Sequence, residues 1–382
     1  MTTETSHDDT LAMLSDSLAR YLEQHFGFAQ RQRTLADAVD APPAFWLGLS
    51  RELGLLGAAL PEAQGGLGGG MAAHLAVMRT LGAALAGEPY LSSLVIGAGL
   101  LQRQPGAFSD ALLADVVAGR AVLAFAHAEP DSRNERAQVH TRLVGDGQGY
   151  EINGHKAVVH AAPWATHLIV SARGSGAAGD ADGISLVVVE RHAPGVQLRP
   201  YALRDGTRAA ELRLEGVRVP AAALLGREGA ALPQIEQALD EATLAVCAEA
   251  VGVLGRLLAD TLDYVRQRKQ FGVAIASFQV VQHRLADMHM ALAQADALTH
   301  AVLDAMDGPA PARARAVSSA QVAVAQACKA VGQGAVQLHG GMGMTEELAV
   351  GHYFRRATLI ATQFGSASWH LRRVAGLEAA QA

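Results

Sequence analysis

The period of apolar positions changes twice along the chain. Up to about residue 118 it is helical. Leu11, Leu14, Leu18 and Tyr21 recur at three- and four-residue spacing, as one buried helix face requires. Arg51–Leu60 is a further apolar segment, stopped by Pro61 and the glycine-rich Gly65–Gly70; Met71–Leu85 and Leu91–Leu101 are helix candidates. Residues 119–225 break into short β-rich runs at Val122–His127, Gln138–Val144, Tyr150–His160, His167–Arg173, Ile184–Glu190 and Ala210–Val219. They predict a small antiparallel β domain. Glu211, Arg213 and Glu215 alternate with Leu212 and Leu214, so one sheet face is expected to be wet. From residue 226 the helical period returns over Ala231–Arg268, Phe278–Met306 and Ala312–His339, with short breaks that predict an antiparallel bundle. No βαβ alternation occurs, which argues against a Rossmann sheet.

Composition narrows the classes. The 382 residues suit two or three domains, and half of them are hydrophobic, enough for a substantial core. A net charge of −6 argues against broad nucleic-acid binding. Cys247 and Cys328 cannot build a disulfide framework or a four-thiolate zinc site, and HExxH, CxxC and P-loop motifs are missing, so no metal is expected. The start of the chain lacks a basic segment followed by an apolar one, and no run of 18 apolar residues stands out. The expectation is a cytoplasmic protein without a membrane span.

Specific motifs lie in the last third. Tyr264–Gly272 reads YVRQRKQFG, Ser277–Met288 reads SFQVVQHRLADM and Gln337–Thr345 reads QLHGGMGMT. With Glu52–Gly66, Tyr150–Lys156 and Gly216–Gly229, they resemble the acyl-CoA dehydrogenase family, in the family's order and over nearly the whole chain. AFAHAEP, RAAELRLEGVRV and VGHYFRR look most like the small subunits of pimeloyl-CoA-dehydrogenase-type pairs. The resemblance implies an α+β fold: an N-terminal helical domain (1–118), a middle β domain (119–225) and a C-terminal four-helix bundle (226–382). It also implies FAD held between β domain and bundle and completed by a neighbouring subunit. The implied substrate is an acyl-CoA and the implied acceptor an electron-transfer flavoprotein or similar. The assembly would be a homo-oligomer, or a hetero-oligomer with a second dehydrogenase-like subunit.

Arg268 ends a helix, where a guanidinium either grips a pyrophosphate in two prongs or merely complements the helix dipole; the matched motif favours the flavin. Phe271 and Gln279 take the family's adjacent FAD contacts. Gln337, Gly340 and Gly341 match the segment offered to a neighbour's FAD, and the two glycines also suit a helix cap. Ser366 stands where the family has a flavin-contacting threonine. In the β domain only Glu129-Pro130 of the flavin stretch is kept, with Ala128 in place of a threonine. Val158-Val159-His160 replaces Trp-Ile-Thr, with His160 either a donor to the flavin ring or a strand-end histidine.

The family reaction needs a desolvated carboxylate to take the α-proton while a hydride leaves the β-carbon. The usual glutamate position holds Phe364, which cannot accept a proton. The family's second location, on the long bundle helix, falls on Ala242. Glu241 is one residue off, about 100° around the helix. It is the nearest candidate base, or else a solvated carboxylate in a helix's first turns. Two functions stay open: an acyl-CoA dehydrogenase acting within an oligomer, and a non-catalytic partner subunit contributing to a shared FAD site. Glu249 reads as buried and satisfied by structure.

Overall fold

The computed structural model describes residues 2–37 and 41–380. Helices α1 (Thr2–His25), α2 (Phe28–Asp37), α3 (Phe45–Arg51) and α4 (Gly70–Ala83) come first. A π-helical stretch, Leu91–Ala98, then runs into α5 (Gly99–Gln102), followed by α6 (Ala107–Val117). The strands are β1 (Leu123–Ala126), β2 (Arg142–Gly145), β3 (Gly149–His160), β4 (His167–Arg173), β5 (Ile184–Glu190), β6 (Val196–Ala202), β7 (Arg208–Pro220) and β8 (Leu224–Leu225). The long helix α7 (Leu232–Gln267) leads through a short hairpin, β9 (Lys269–Gln270) and β10 (Val273–Ala274), into α8 (Gln279–Ala301). The chain ends with α9 (Leu303–Met306), α10 (Ala310–His339), α11 (Ala349–Ile360) and α12 (Ala367–Ala379).

The chain forms two compact units, and the N-terminal helices are divided between them. One unit comprises Gln30–Gly68 and Glu88–Ala242. Its sheet runs β6-β7-β3-β2-β4-β5-β8, with β1 added beside β4. Ala124, Ile152, Leu168, Val170, Val187, Leu212 and Leu214 share its core. Arg213 and Glu215 are exposed between buried Leu212 and Leu214, so the alternation does mark a wet face. Two features correct the sequence expectation. First, β1 pairs with β4 in parallel, in register Leu123↔His167, so the sheet is mixed. The intervening β2 and β3 supply the long return that a parallel neighbour requires. Second, β6 was not expected. It lies on the sheet edge, where Pro200 costs no ladder bond on the open side.

The other unit comprises Met1–Ala29, Gly69–Gly87 and Thr243–Ala382. Here α10 packs on α8, α11 and α12, and α1 packs on α4. Glycines set the closest crossing. A Cβ at Gly252 of α7 would meet the Arg79 carbonyl oxygen of α4 at 1.9 Å, and one at Gly82 would meet the Glu249 carbonyl oxygen at 2.2 Å. Leu18 and Tyr21 are buried as their spacing requires. Among the described residues, α7 alone has the length and mean hydropathy (1.7) of a membrane span, but 83% of that window is buried inside the protein, as in a core helix.

Candidate flavin edge and the two base positions

The last turn of α7 ends at an exposed arginine. The Arg268 backbone N–H still bonds the Tyr264 carbonyl (2.8 Å), so the side chain leaves from regular helix. Among the described residues, no carboxylate pairs with its guanidinium. The chain then reverses through Phe271-Gly272, both at positive φ (56° and 82°), closing the β9–β10 hairpin. Such a two-residue turn prefers Asn-Gly, and a phenylalanine there is strained. Phe271 projects from this turn at 92% exposure, edge-on to Phe278. Gln279 follows as the first residue of α8, whose N-cap has no side-chain bond. The Val281 and Gln282 N–H groups turn back to the Phe278 carbonyl, which leaves those of Gln279 and Val280 to face an anion.

The end of α10 meets this edge. His339 is buried and bonds the Ala335 carbonyl through Nδ1 (2.9 Å). Its ring stacks on Tyr264 at 4.2 Å, one helical turn before Arg268. Gln337 is exposed. Gly340 caps the helix at φ 63°, ψ −144°, a conformation that side chains avoid. A Cβ on Gly340 or Gly341 would meet nothing, so both present bare backbone on an open surface. The Tyr264–His339 stack thus couples the Arg268 end of α7 to the Gln337–Gly341 segment within one chain. Ser366 has a second duty: as N-cap of α12 its hydroxyl oxygen accepts from the Trp369 N–H at 3.3 Å, leaving its own proton to donate.

In the sheet unit, a register shift between Lys156 and Val159 throws Val158 out of the ladder at φ 50°, 45% exposed. His160 ends β3 opposite Ala209, half-buried. The kept Glu129 is a hub. Its carboxylate accepts from Lys156 Nζ (2.7 Å), from Thr141 Oγ1 (2.7 Å) and from the backbone N–H groups of His140 (2.7 Å) and Thr141 (2.9 Å). Burial works against ionisation, but the Lys156 charge and these donors hold the Glu129 carboxyl below its usual range. β2 begins at Arg142 rather than Gln138: the His140 and Thr141 N–H groups fix Glu129, and those of Gln138 and Val139 turn back to the Glu135 and Ala137 carbonyls. Lys156 also donates to Ser171 Oγ (3.0 Å), which contacts His127 Nδ1 at 2.9 Å. Burial, then the Lys156 and Arg136 charges, push the imidazole down to about 3, so His127 is neutral near pH 7.

Neither of the two positions where the resemblance expects a base offers a free carboxylate. Phe364 follows α11 at φ 60°, a left-handed conformation that is an outlier for an aromatic residue, with Gly365 at φ 135° after it. The Glu241 carboxylate is clamped by Arg103: Nη2 to Oε2 at 2.7 Å, with Nη1 reaching both oxygens at 3.0 and 3.2 Å. Gln237 Nε2 adds a fourth hydrogen bond at 3.1 Å. Its neighbour Asp240 is held by Arg136 at 2.9 Å. Ala242 and Thr243 are fully buried. Glu249, read as a buried structural carboxylate, is 1% exposed and bonds Arg356 at 2.7 and 2.5 Å. The sequence reading missed Arg103, Arg136 and Tyr264. Arg103 lies 138 positions from Glu241, and no local pattern pairs them.

With this geometry in place, comparison with known proteins decides the family. The N-terminal, middle and C-terminal domain models of acyl-CoA dehydrogenases match residues 8–103, 124–217 and 230–376. The chain belongs to the acyl-CoA dehydrogenase family. It is 31% identical over 335 residues to the Probable acyl-CoA dehydrogenase YngJ of Bacillus subtilis, covering 85% of this chain and 86% of that one. Subunit CarC of the caffeyl-CoA reductase-Etf complex of Acetobacterium woodii is 26% identical, over 95% and 97% of the two chains. Among solved structures, the ChsE4-ChsE5 complex of Mycobacterium tuberculosis matches with a TM-score of 0.85 at 28% identity, over 97% of each chain. Members of this acyl-CoA dehydrogenase family are flavoproteins that oxidise a CH–CH bond of an acyl-CoA.

Proposed function

We propose that this acyl-CoA dehydrogenase, with sequence domains 1–118, 119–225 and 226–382, works as one subunit of an oligomer. It contributes flavin contacts to a shared site, while a second dehydrogenase-like subunit supplies the catalytic carboxylate. The observation that carries the division of labour is the pair of base positions: Phe364 has no lone pair to offer, and Glu241 has its lone pairs engaged by Arg103 and Gln237. The ChsE4-ChsE5 likeness supports a pair of unlike chains, and the closer likeness to small subunits of pimeloyl-CoA-dehydrogenase-type pairs belongs to the same proposal.

The residues at the bundle edge fit FAD. Arg268 would take the pyrophosphate in two prongs, with the open N–H groups of α8 at Gln279 adding donors. Phe271 would lie against the cofactor, and bare backbone at Gly340 and Gly341 would let it approach closely. Because Tyr264 and His339 couple these residues, Arg268 and Gln337–Gly341 act as one element, to which Ser366 adds a donor; His160 would donate to flavin from the sheet unit. Bound flavin supplies the hydride acceptor for α,β-dehydrogenation; the chain's own part is to bind and orient. The Etf complex of the CarC relative supports an electron-transfer flavoprotein or similar acceptor. Two free buried cysteines suit a cytoplasmic setting. The test is native mass and flavin content, measured for the chain alone and after co-expression with candidate partner subunits. The proposal expects an oligomer whose FAD content rises to stoichiometric only with a partner. A monomer that keeps stoichiometric FAD on dilution contradicts it.

A further inference from the structure

Two buried glutamine amides of the bundle unit are treated oppositely. Gln321 of α10 is fully buried, and both ends are used: Oε1 accepts from Cys247 Sγ (3.1 Å) and Nε2 donates to the Ile360 carbonyl (3.0 Å). Gln363 lies just beyond α11, and its Oε1 and Nε2 are both shielded from solvent without a hydrogen-bond partner among the described residues. Gln64 and Gln234 each leave only the oxygen in that state. Leaving a buried amide unsatisfied is costly, and a bound group that completes it is one of the explanations such an amide calls for. Its setting adds to this. Gln363 adjoins Phe364, whose backbone is strained at φ 60°, and strain of this kind collects at ligand sites. The Gln363 backbone N–H is itself satisfied by Leu359 and Ile360, so the opening concerns the side chain alone.

We propose that the Gln363 carboxamide reads a ligand that presents both a hydrogen-bond donor and an acceptor, as amide and imide groups do. This rests on the functional reading above, which brings two such groups: the pyrimidine edge of the flavin and the pantetheine amides of the acyl-CoA. A purely apolar ligand would leave both Gln363 atoms unpaired.

The test compares wild type, Gln363→Met and Gln321→Met in the purified assembly. Methionine keeps the side-chain length and removes both hydrogen-bonding atoms. Calorimetric titration measures the affinity for FAD and for coenzyme A, which carries the pantetheine amides whatever its acyl group. Thermal melting is recorded without ligand. Gln363→Met is expected to weaken one ligand by about tenfold, as loss of a buried bond predicts, and to leave the ligand-free melting temperature unchanged or raised. Gln321→Met should lower it, because that amide has protein partners. A loss for FAD assigns the flavin edge; a loss for coenzyme A assigns the pantetheine. Unchanged affinity for both ligands, or a loss that comes with a lowered ligand-free melting temperature, overturns the proposal. If wild type binds neither ligand, the functional reading itself fails, which is a different result from wild type binding both while Gln363→Met makes no difference.

Discussion

At the end of α7, Arg268, Phe271 and the Gly340-Gly341 backbone stand open; at the two base positions the side chains are committed elsewhere or chemically mute. The difference follows from what each task demands. Gripping a cofactor needs donors with room in front of them, and an exposed helix end supplies those. Abstracting a proton needs a carboxylate with a free lone pair aimed at one carbon. Glu241 has the right chemistry, but its lone pairs point into a guanidinium. A charge-paired carboxylate near a family base position is therefore no substitute for the base.

The comparison can be sharpened by treating Glu241 and Glu249 as a series. Glu249→Ala would leave Arg356 buried without its partner and should cost about 3–5 kcal/mol, read as a lower urea midpoint. Next in size, Arg268→Ala should weaken FAD by about 1.5–3 kcal/mol without a matching loss of fold stability, because the guanidinium makes no ion pair within the described chain. Equal FAD affinity in that variant would remove Arg268 from the flavin edge. Glu241→Gln keeps a hydrogen-bond acceptor for the half-buried Arg103 and should cost only about 1 kcal/mol, with no change in turnover of the paired assembly. A large turnover loss there would return Glu241 to the role of base.

The smallest effect concerns the network around Glu129. The His127 imidazole is depressed from 6.5 to about 3, so below pH 6.5 the unfolded chain binds more protons than the folded one. Stability should then fall as pH drops from 6.5 toward 3. The expected loss is about 1 kcal/mol by pH 5, after discounting for partial exposure. His74, lowered by burial to about 4, acts in the same direction. His127→Gln should flatten the acid limb of urea midpoints measured at several pH values. An unchanged slope would mean that His127 does not titrate as its surroundings require.

Much of this was legible in the sequence. The strand runs His167–Arg173 and Ile184–Glu190 and the periods of α7, α8 and α10 carry their own signal, because side-chain period and burial are local properties. The phenylalanine at 364, where the resemblance expects a carboxylate, was legible too, since it turns on residue type alone. The Arg103 clamp on Glu241, the donors around Glu129 and the orphaned Gln363 were not. Each depends on which distant residues the fold brings together, and a single sequence shows no such pairing. β6 escaped because Pro200 and alternating polar residues mask a strand at a sheet edge. The helices α11 and α12, at 12 and 13 residues, went unread although α11 has a clear amphipathic face.

The central claim is that this chain binds flavin but lacks its own base. It is tested most directly by flavin reduction in single turnover. The chain alone, with the FAD it retains, and the assembly with its partner subunit are compared at equal bound-flavin concentration: each is mixed anaerobically with a panel of acyl-CoA thioesters of different chain length, and bleaching of the flavin absorbance is followed. The account predicts no bleaching by the chain alone and bleaching once a partner supplies a carboxylate. Rapid bleaching by the chain alone, abolished in Glu241→Gln, would contradict it and place the base on α7.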